Sequence, residues 1–171
     1  MPKQEGKLKQ LDHIPVGNII QDNNFLQADR SHKDRVFEML KTQKGISFRG
    51  GLEPDLIDDH FVNGITSLKI YDLWLACDTD SRLPLFEKGC SKLVKAGFKR
   101  DKIRCYVLSM GQDMEADEAR ARTIWELGAM PFMQLYQDFG DTKLQYPKEW
   151  KRFARMWQRP ALIKAHIEGR M

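Results

Sequence analysis

Short apolar runs return along this chain at a nearly constant interval, and that interval restricts the folds open to it. The runs cover residues 16–20, 46–48, 73–77, 103–108 and 131–136. With Ile19, Ile46, Leu73, Ile103 and Met130 as markers, the steps are 27, 27, 30 and 27 residues. Each run is rich in Ile, Leu, Val or aromatic residues and is bounded by turn residues, the pattern of a buried strand. Between the runs, apolar residues fall at helical spacing. They are Val36, Phe37 and Leu40 within 32–44, and Leu56, Ile57, Phe61, Ile65 and Leu68 within 55–68. Phe86, Cys90, Leu93 and Val94 follow within 83–96, then Ala121, Ile124, Trp125 and Leu127 within 115–127. Ser31 is placed to cap the first helix, and Gly45, Gly97 and Gly128 stand where a left-handed residue ends one. A last helix over 147–157 opens on Pro147 and carries Trp150, Phe153, Ala154 and Trp157.

Strand and helix alternating at this spacing give βαβ units and a parallel sheet. Right-handed crossovers then gather all strand C-termini on one edge, where functional groups collect in barrels and open sheets alike. The expected fold is α/β with about five βα units. A closed barrel takes about 200 residues at the low end, so 171 residues make either a small open sheet or part of a barrel.

The strand ends are polar: Asp22-Asn23-Asn24, then Arg49-Gly50-Gly51-Leu52-Glu53, then Asp78-Thr79-Asp80. Ser109-Met110-Gly111-Gln112-Asp113 and Gln137-Asp138 follow. Five such ends on a common edge point to a binding site. Gly50 and Gly51 let backbone approach a ligand or turn left-handed, and Glu53 follows in the same loop. Asp78, Thr79 and Asp80 suit ribose hydroxyls, or an acid–base pair if one pKa were raised. Helix capping by Thr79 or Asp80, and an Asx turn at Asp22, are the competing structural readings. Tyr136, near a strand end, is a candidate for a substrate cavity; Tyr106 is read as core packing.

Charge and cysteine content exclude other classes. The 28 basic and 24 acidic side chains leave +4, too small a surplus for a dedicated nucleic-acid binder. Basic residues do gather near the C-terminus, at Lys148, Lys151, Arg152, Arg155 and Arg159 among Trp150, Phe153 and Trp157. A solvated helical face is the first reading, nucleic-acid stacking the alternative. No apolar run approaches the roughly 18 residues of a membrane span, and residues 1–20 lack a signal-peptide core. A cytoplasmic protein without a membrane partner is expected. Cys77, Cys90 and Cys105 are too widely spaced for a metal knuckle and read as small buried hydrophobes. His13, His32, His60 and His166 show no metal-ligand spacing, so no metal site is expected from this chain.

Seven stretches carry a resemblance. They are PKQEGKLKQL (2–11), GNIIQDNNFLQ (17–27), VFEMLKTQKGISFRGGLEPDLI (36–57) and LWLACDTDS (73–81), followed by AGFKRDKIRCYVL (96–108), ELGAMPFMQLYQD (126–138) and EWKRFARMWQRPALIKAH (149–166). In this order they resemble the core of radical S-adenosylmethionine proteins, particularly a phage- and prophage-associated group, over nearly the whole chain. The resemblance implies a partial (β/α) TIM-like barrel with S-adenosylmethionine at the strand ends. It also implies a [4Fe–4S] cluster held by a C-x-x-x-C-x-x-C loop after the first strand, and cleavage of the cofactor to a 5′-deoxyadenosyl radical. Asp22, Asn23 and Asn24 would then meet the cofactor's amino group, which a carboxylate and amides suit.

The chain departs from that pattern at the cluster loop. It contains no C-x-x-x-C-x-x-C, and its cysteines are 13 and 15 residues apart. In similar proteins a V-P-x-x-E-G segment follows the third cysteine; here the chain begins Met1-Pro2-Lys3-Gln4-Glu5-Gly6. The expectation is one domain over 1–171, truncated before its first strand and cluster loop, with a basic helical segment over 147–171. Such a chain would be an iron–sulfur enzyme only when a missing N-terminal segment or partner chain supplies the cluster. Unpaired barrel edges would favour a homo-oligomer. The alternative is a non-catalytic α/β module for nucleic acid or a nucleoside or anion.

Overall fold

The computed structural model describes residues 8–138, 140 and 143–170; Met1 to Gly6, where the V-P-x-x-E-G comparison falls, lie outside them. Five strands form one parallel sheet: β1 (Ile19–Ile20), β2 (Ile46–Leu52), β3 (Ile70–Ala76), β4 (Ile103–Ser109) and β5 (Met130–Leu135). Their spatial order is their chain order. The four crossovers carry α1 (Arg30–Leu40), α2 (Asp59–Thr66), α3 (Leu83–Lys95) and α4 (Met114–Glu126). Two further helices, α5 (Lys148–Met156) and α6 (Pro160–Ile167), follow β5.

The order never reverses, so right-handed crossovers put α1 to α4 on the same face of the sheet. Side-chain alternation agrees. Leu73, Leu75 and Cys77 of the β3 segment, Ile103, Cys105 and Val107 of β4, and Met133 of β5 are fully buried. They share a core with Phe86, Cys90 and Leu93 of α3 and Ala121 and Ile124 of α4. The intervening residues Asp72, Trp74, Ala76, Arg104, Tyr106, Leu108, Phe132 and Gln134 lie in register on the opposite face.

Local signals explain most boundaries. Helices α3 and α4 end in paired Schellman bonds at Gly97 and Gly128, as expected. Phe98 N–H donates to the Leu93 carbonyl at 3.1 Å, and Ala129 N–H to the Ile124 carbonyl at 3.2 Å. Gly45 instead lies in the turn before β2, because α1 has already closed at Lys41. The cap of α1 is Asp29 rather than Ser31: its carboxylate accepts from His32 N–H at 2.7 Å, which leaves Ser31 inside the helix. The expected helix over 55–68 divides. Pro54–Leu56 forms a 3-10 turn, and α2 restarts after Asp58, whose carboxylate accepts from Phe61 N–H at 2.8 Å. Val94 is exposed instead of buried. Strand β1 is shorter than the run over 16–20, with Val16 77% exposed between Pro15 and Gly17.

The two sheet edges are finished differently. At β5, Met133 N–H donates to the Trp157 carbonyl at 3.4 Å, and Gln158 Nε2 donates to the Met133 carbonyl at 2.8 Å. The turn between α5 and α6 thus covers that edge, anchored by fully buried Trp157 and Ile163. At the other end, among the described residues, β1 pairs with β2 alone, beside exposed Leu11, Val16 and Ile19. Among the described residues, no helix is long and apolar enough to cross a membrane.

Candidate functional site

A cleft of about 910 Å³ opens at the C-terminal ends of the strands. Asn23 and Asn24 after β1, Gly50, Gly51, Glu53 and Pro54 around the end of β2, and Asp78, Thr79 and Arg82 after β3 line it. Ala76, Tyr106, Leu108 and Gln134 complete the lining from the strands themselves.

The end of β2 shapes this space. Phe48 pairs with Leu73 and Leu52 with Leu75, so β2 uses four steps where β3 uses two. The surplus is a bulge at Arg49-Gly50-Gly51, a device that re-aims a strand end. A Cβ on Gly50 would stand 2.4 Å from the Asp22 carbonyl oxygen, so the β1 loop can lie this close only against glycine. Gly51 turns left-handed at φ +79°.

The carboxylates differ in surroundings. Asp22 is tied into an Asx turn, accepting from Asn24 N–H at 2.8 Å. It borders a smaller apolar hollow of about 280 Å³ beside β1, not the cleft. Glu53 accepts from Gln27 Nε2 at 3.2 Å. Desolvation by the surrounding loops pushes the Asp78 carboxyl above its ordinary 3.8, against the pull of Arg120 and Arg82. Asp80 is drawn away, accepting from Arg120 Nη1 at 2.7 Å. Neither Thr79 nor Asp80 caps a helix with its side chain; the Thr79 hydroxyl lies 2.9 Å from Ser81 Oγ.

Arg120 of α4 organises these loops, and the sequence reading missed it. It is 7% exposed. Besides Asp80, it donates to Asp117 Oδ1 at 2.6 Å and to the Leu108 carbonyl at 2.9 Å. One guanidinium therefore joins the end of β4, the loop after β3 and its own helix. The available signal was the Asp117–Arg120 pair at i, i+3. Arg82 is the second unforeseen residue; it donates to Asp55 Oδ1 at 3.0 Å.

The two tyrosines take different places, and Tyr106 is not the core residue expected of it. Tyr106 lies on the face opposite the helices and floors the cleft. Tyr136 sits just past β5 and is not among the cleft residues; its N–H donates to the Ser109 carbonyl and its carbonyl accepts from Tyr146 OH, each at 2.8 Å. At the C-terminus Phe153 and Trp157 are buried and Trp150 packs partly against the core. The basic side chains around them stay exposed.

The three cysteines are buried on the helix side of the sheet. Burial pushes the Cys77 thiol up to about 11 and Cys90 up to about 12, from an ordinary 9.0. Burial also holds Cys105 well above that value. Unfolded thiols lose their protons first, so the stability carried by these groups is intact below about pH 9 and falls as pH rises towards about 12. Urea midpoints measured between pH 8 and pH 11 are expected to fall less steeply for Cys90→Ala than for the unmodified chain. Identical slopes would show that Cys90 ionises as freely folded as unfolded. Among the described residues, no group of three His, Cys, Asp or Glu side chains is arranged to hold a metal ion. No family model matches this chain, and no curated protein or solved structure matches it either.

Proposed function

We propose that the cleft binds S-adenosylmethionine. One observation carries this reading: Asn23, Asn24, Gly50, Gly51, Glu53, Asp78 and Thr79, selected from separate strand ends in the sequence, line a single cavity. Its chemistry suits a nucleoside joined to an amino acid. Glu53 and the amide oxygens of Asn23 and Asn24 accept from an ammonium, and Asp78 with Thr79 accepts from ribose hydroxyls. Arg82 offers its remaining donors to a carboxylate. Two carboxylates at the rim favour the positive sulfonium. On this reading the sheet is part of a (β/α) barrel, in keeping with its unreversed strand order and one-sided crossovers.

The chain's own residues bind and orient the nucleoside. They do not fit an iron–sulfur cluster, because the cysteines are buried away from the cleft with protonated thiols. A cluster would need ligands that these cysteines do not supply, and no step through it follows from these side chains.

Calorimetric titration with S-adenosylmethionine tests the reading without iron. Saturable binding is expected, weakened about tenfold or more in Asp78→Asn and Glu53→Gln, as for loss of a hydrogen bond to a charged group. Absence of binding at millimolar cofactor, or unchanged binding in both variants, would overturn it.

A further inference from the structure

Below the cleft, the same sheet face carries groups that cofactor binding does not use. Register sets Trp74 beside Arg104, and Tyr106 between Ala76 and Phe132. Trp74 and Tyr106 stack with centroids 4.6 Å apart, and Phe132 meets Trp74 edge-on at 5.2 Å. The Arg104 guanidinium lies 5.4 Å from the Trp74 ring centroid. Asp72 is buried, 2% exposed, between Arg49 and Arg104. Its oxygens are 3.9 Å from Arg49 Nε and 3.7 Å from Arg104 Nε, beyond hydrogen-bond length.

This cluster is incomplete in two ways. Buried polar atoms are ordinarily hydrogen-bonded, yet Asp72 Oδ1, Trp74 Nε1 and Arg104 Nε have no hydrogen-bond partner among the described residues. Asp72 is also the sole acid paired with either arginine among the described residues, which leaves one positive charge uncompensated. The arginine side chains are 41% and 21% exposed, so their outer nitrogens reach solvent. Guanidinium forks bind phosphate and carboxylate in pairs, and aromatic side chains hold planar rings by stacking.

We infer that this face binds a substrate made of a planar ring joined to a phosphate or carboxylate, as in a nucleotide. The anion meets Arg49 and Arg104, and the ring packs against Tyr106 and Phe132. Tyr106 borders the cleft as well, so the ligand lies next to the nucleoside bound there; the inference rests on the cleft reading only for the ligand's role as substrate. Asp72 competes with the ligand for both guanidinium groups.

The test uses the whole chain, with saturating S-adenosylmethionine present and absent. Uridine 5′-monophosphate, benzoate, uridine and inorganic phosphate are titrated by calorimetry and by tryptophan fluorescence. Saturable binding of the nucleotide or of benzoate is expected, the tighter of the two identifying the anion's source, with uridine and phosphate alone much weaker. Arg49→Gln and Arg104→Gln each raise Kd about tenfold. Asp72→Asn lowers it, a gain that a purely structural role would not produce. Trp74→Phe removes most of the optical change while calorimetric binding remains. Unchanged affinity in folded Arg49→Gln, or no saturable binding of either anionic probe, overturns the inference. If S-adenosylmethionine still binds in that case, the cleft reading stands. Nucleotide binding that depends on Arg49, in a chain that does not bind S-adenosylmethionine, removes the cleft reading alone.

Discussion

Arg120→Ala is expected to lower folding stability by about 3–5 kcal/mol, the scale seen when one partner of a buried ion pair is removed. The reason is the group left behind. Asp117 has a side chain only 10% exposed, and its Oδ2 atom already lacks a partner. Without Arg120 it becomes a buried carboxylate with no cation, and the Leu108 carbonyl loses its donor. Asp80 also loses its tether, so the loop carrying Asp78 and Thr79 is released, and on the proposed reading S-adenosylmethionine affinity falls with stability. Urea denaturation measures the first effect and calorimetry the second. Pairing Arg120→Met with Asp117→Leu removes both charges and is expected to recover most of the stability but not the affinity, because Asp80 stays untethered. A loss below about 1 kcal/mol in Arg120→Ala would place the pair among exposed, weakly coupled ions.

Gly50→Ala is expected to disable the cleft by a purely steric route. The added Cβ would stand 2.4 Å from the Asp22 oxygen, 2.5 Å from its carbonyl carbon and 2.8 Å from Asn23 N. All three are backbone atoms, so no side chain can swing aside. Either β1 with its loop moves away or the bulge in β2 is lost; both separate Asn23 and Asn24 from Gly51 and Glu53. Overpacking of this kind costs about 1–3 kcal/mol, and S-adenosylmethionine affinity is expected to fall more than about tenfold. Gly17→Ala is the control, since a Cβ there meets nothing within 4 Å. A stability change within about 0.5 kcal/mol is expected for it. Equal effects from the two substitutions would show that backbone crowding at Gly50 is not what positions the loop.

The strand–helix period survived folding because it expresses burial on one face of a parallel sheet, a constraint acting on every unit alike. Asn23, Glu53 and Thr79 were recognisable for a related reason: right-handed crossovers dictate which end of each strand shares an edge. Tyr106 was misjudged because period alone does not say which of the two faces the crossovers leave bare. Arg120 was missed because its partners come from the loop after β3 and the end of β4 as well as from its own helix. A sequence displays the Asp117 spacing but not the other two. Asp29 and Ser31 are both good caps two residues apart, and the structure selects Asp29, which Gln10 also contacts at 2.9 Å.

The unequal edges of the sheet limit how this molecule can assemble. A sheet that is bare on both sides can be extended without end, as fibres are. Here the β5 side is closed by the turn after α5, and among the described residues β1 is the edge left for strand addition. Among the described residues the sheet therefore offers a single edge to a neighbouring strand, and the device that finishes β5 lowers that valence from two to one.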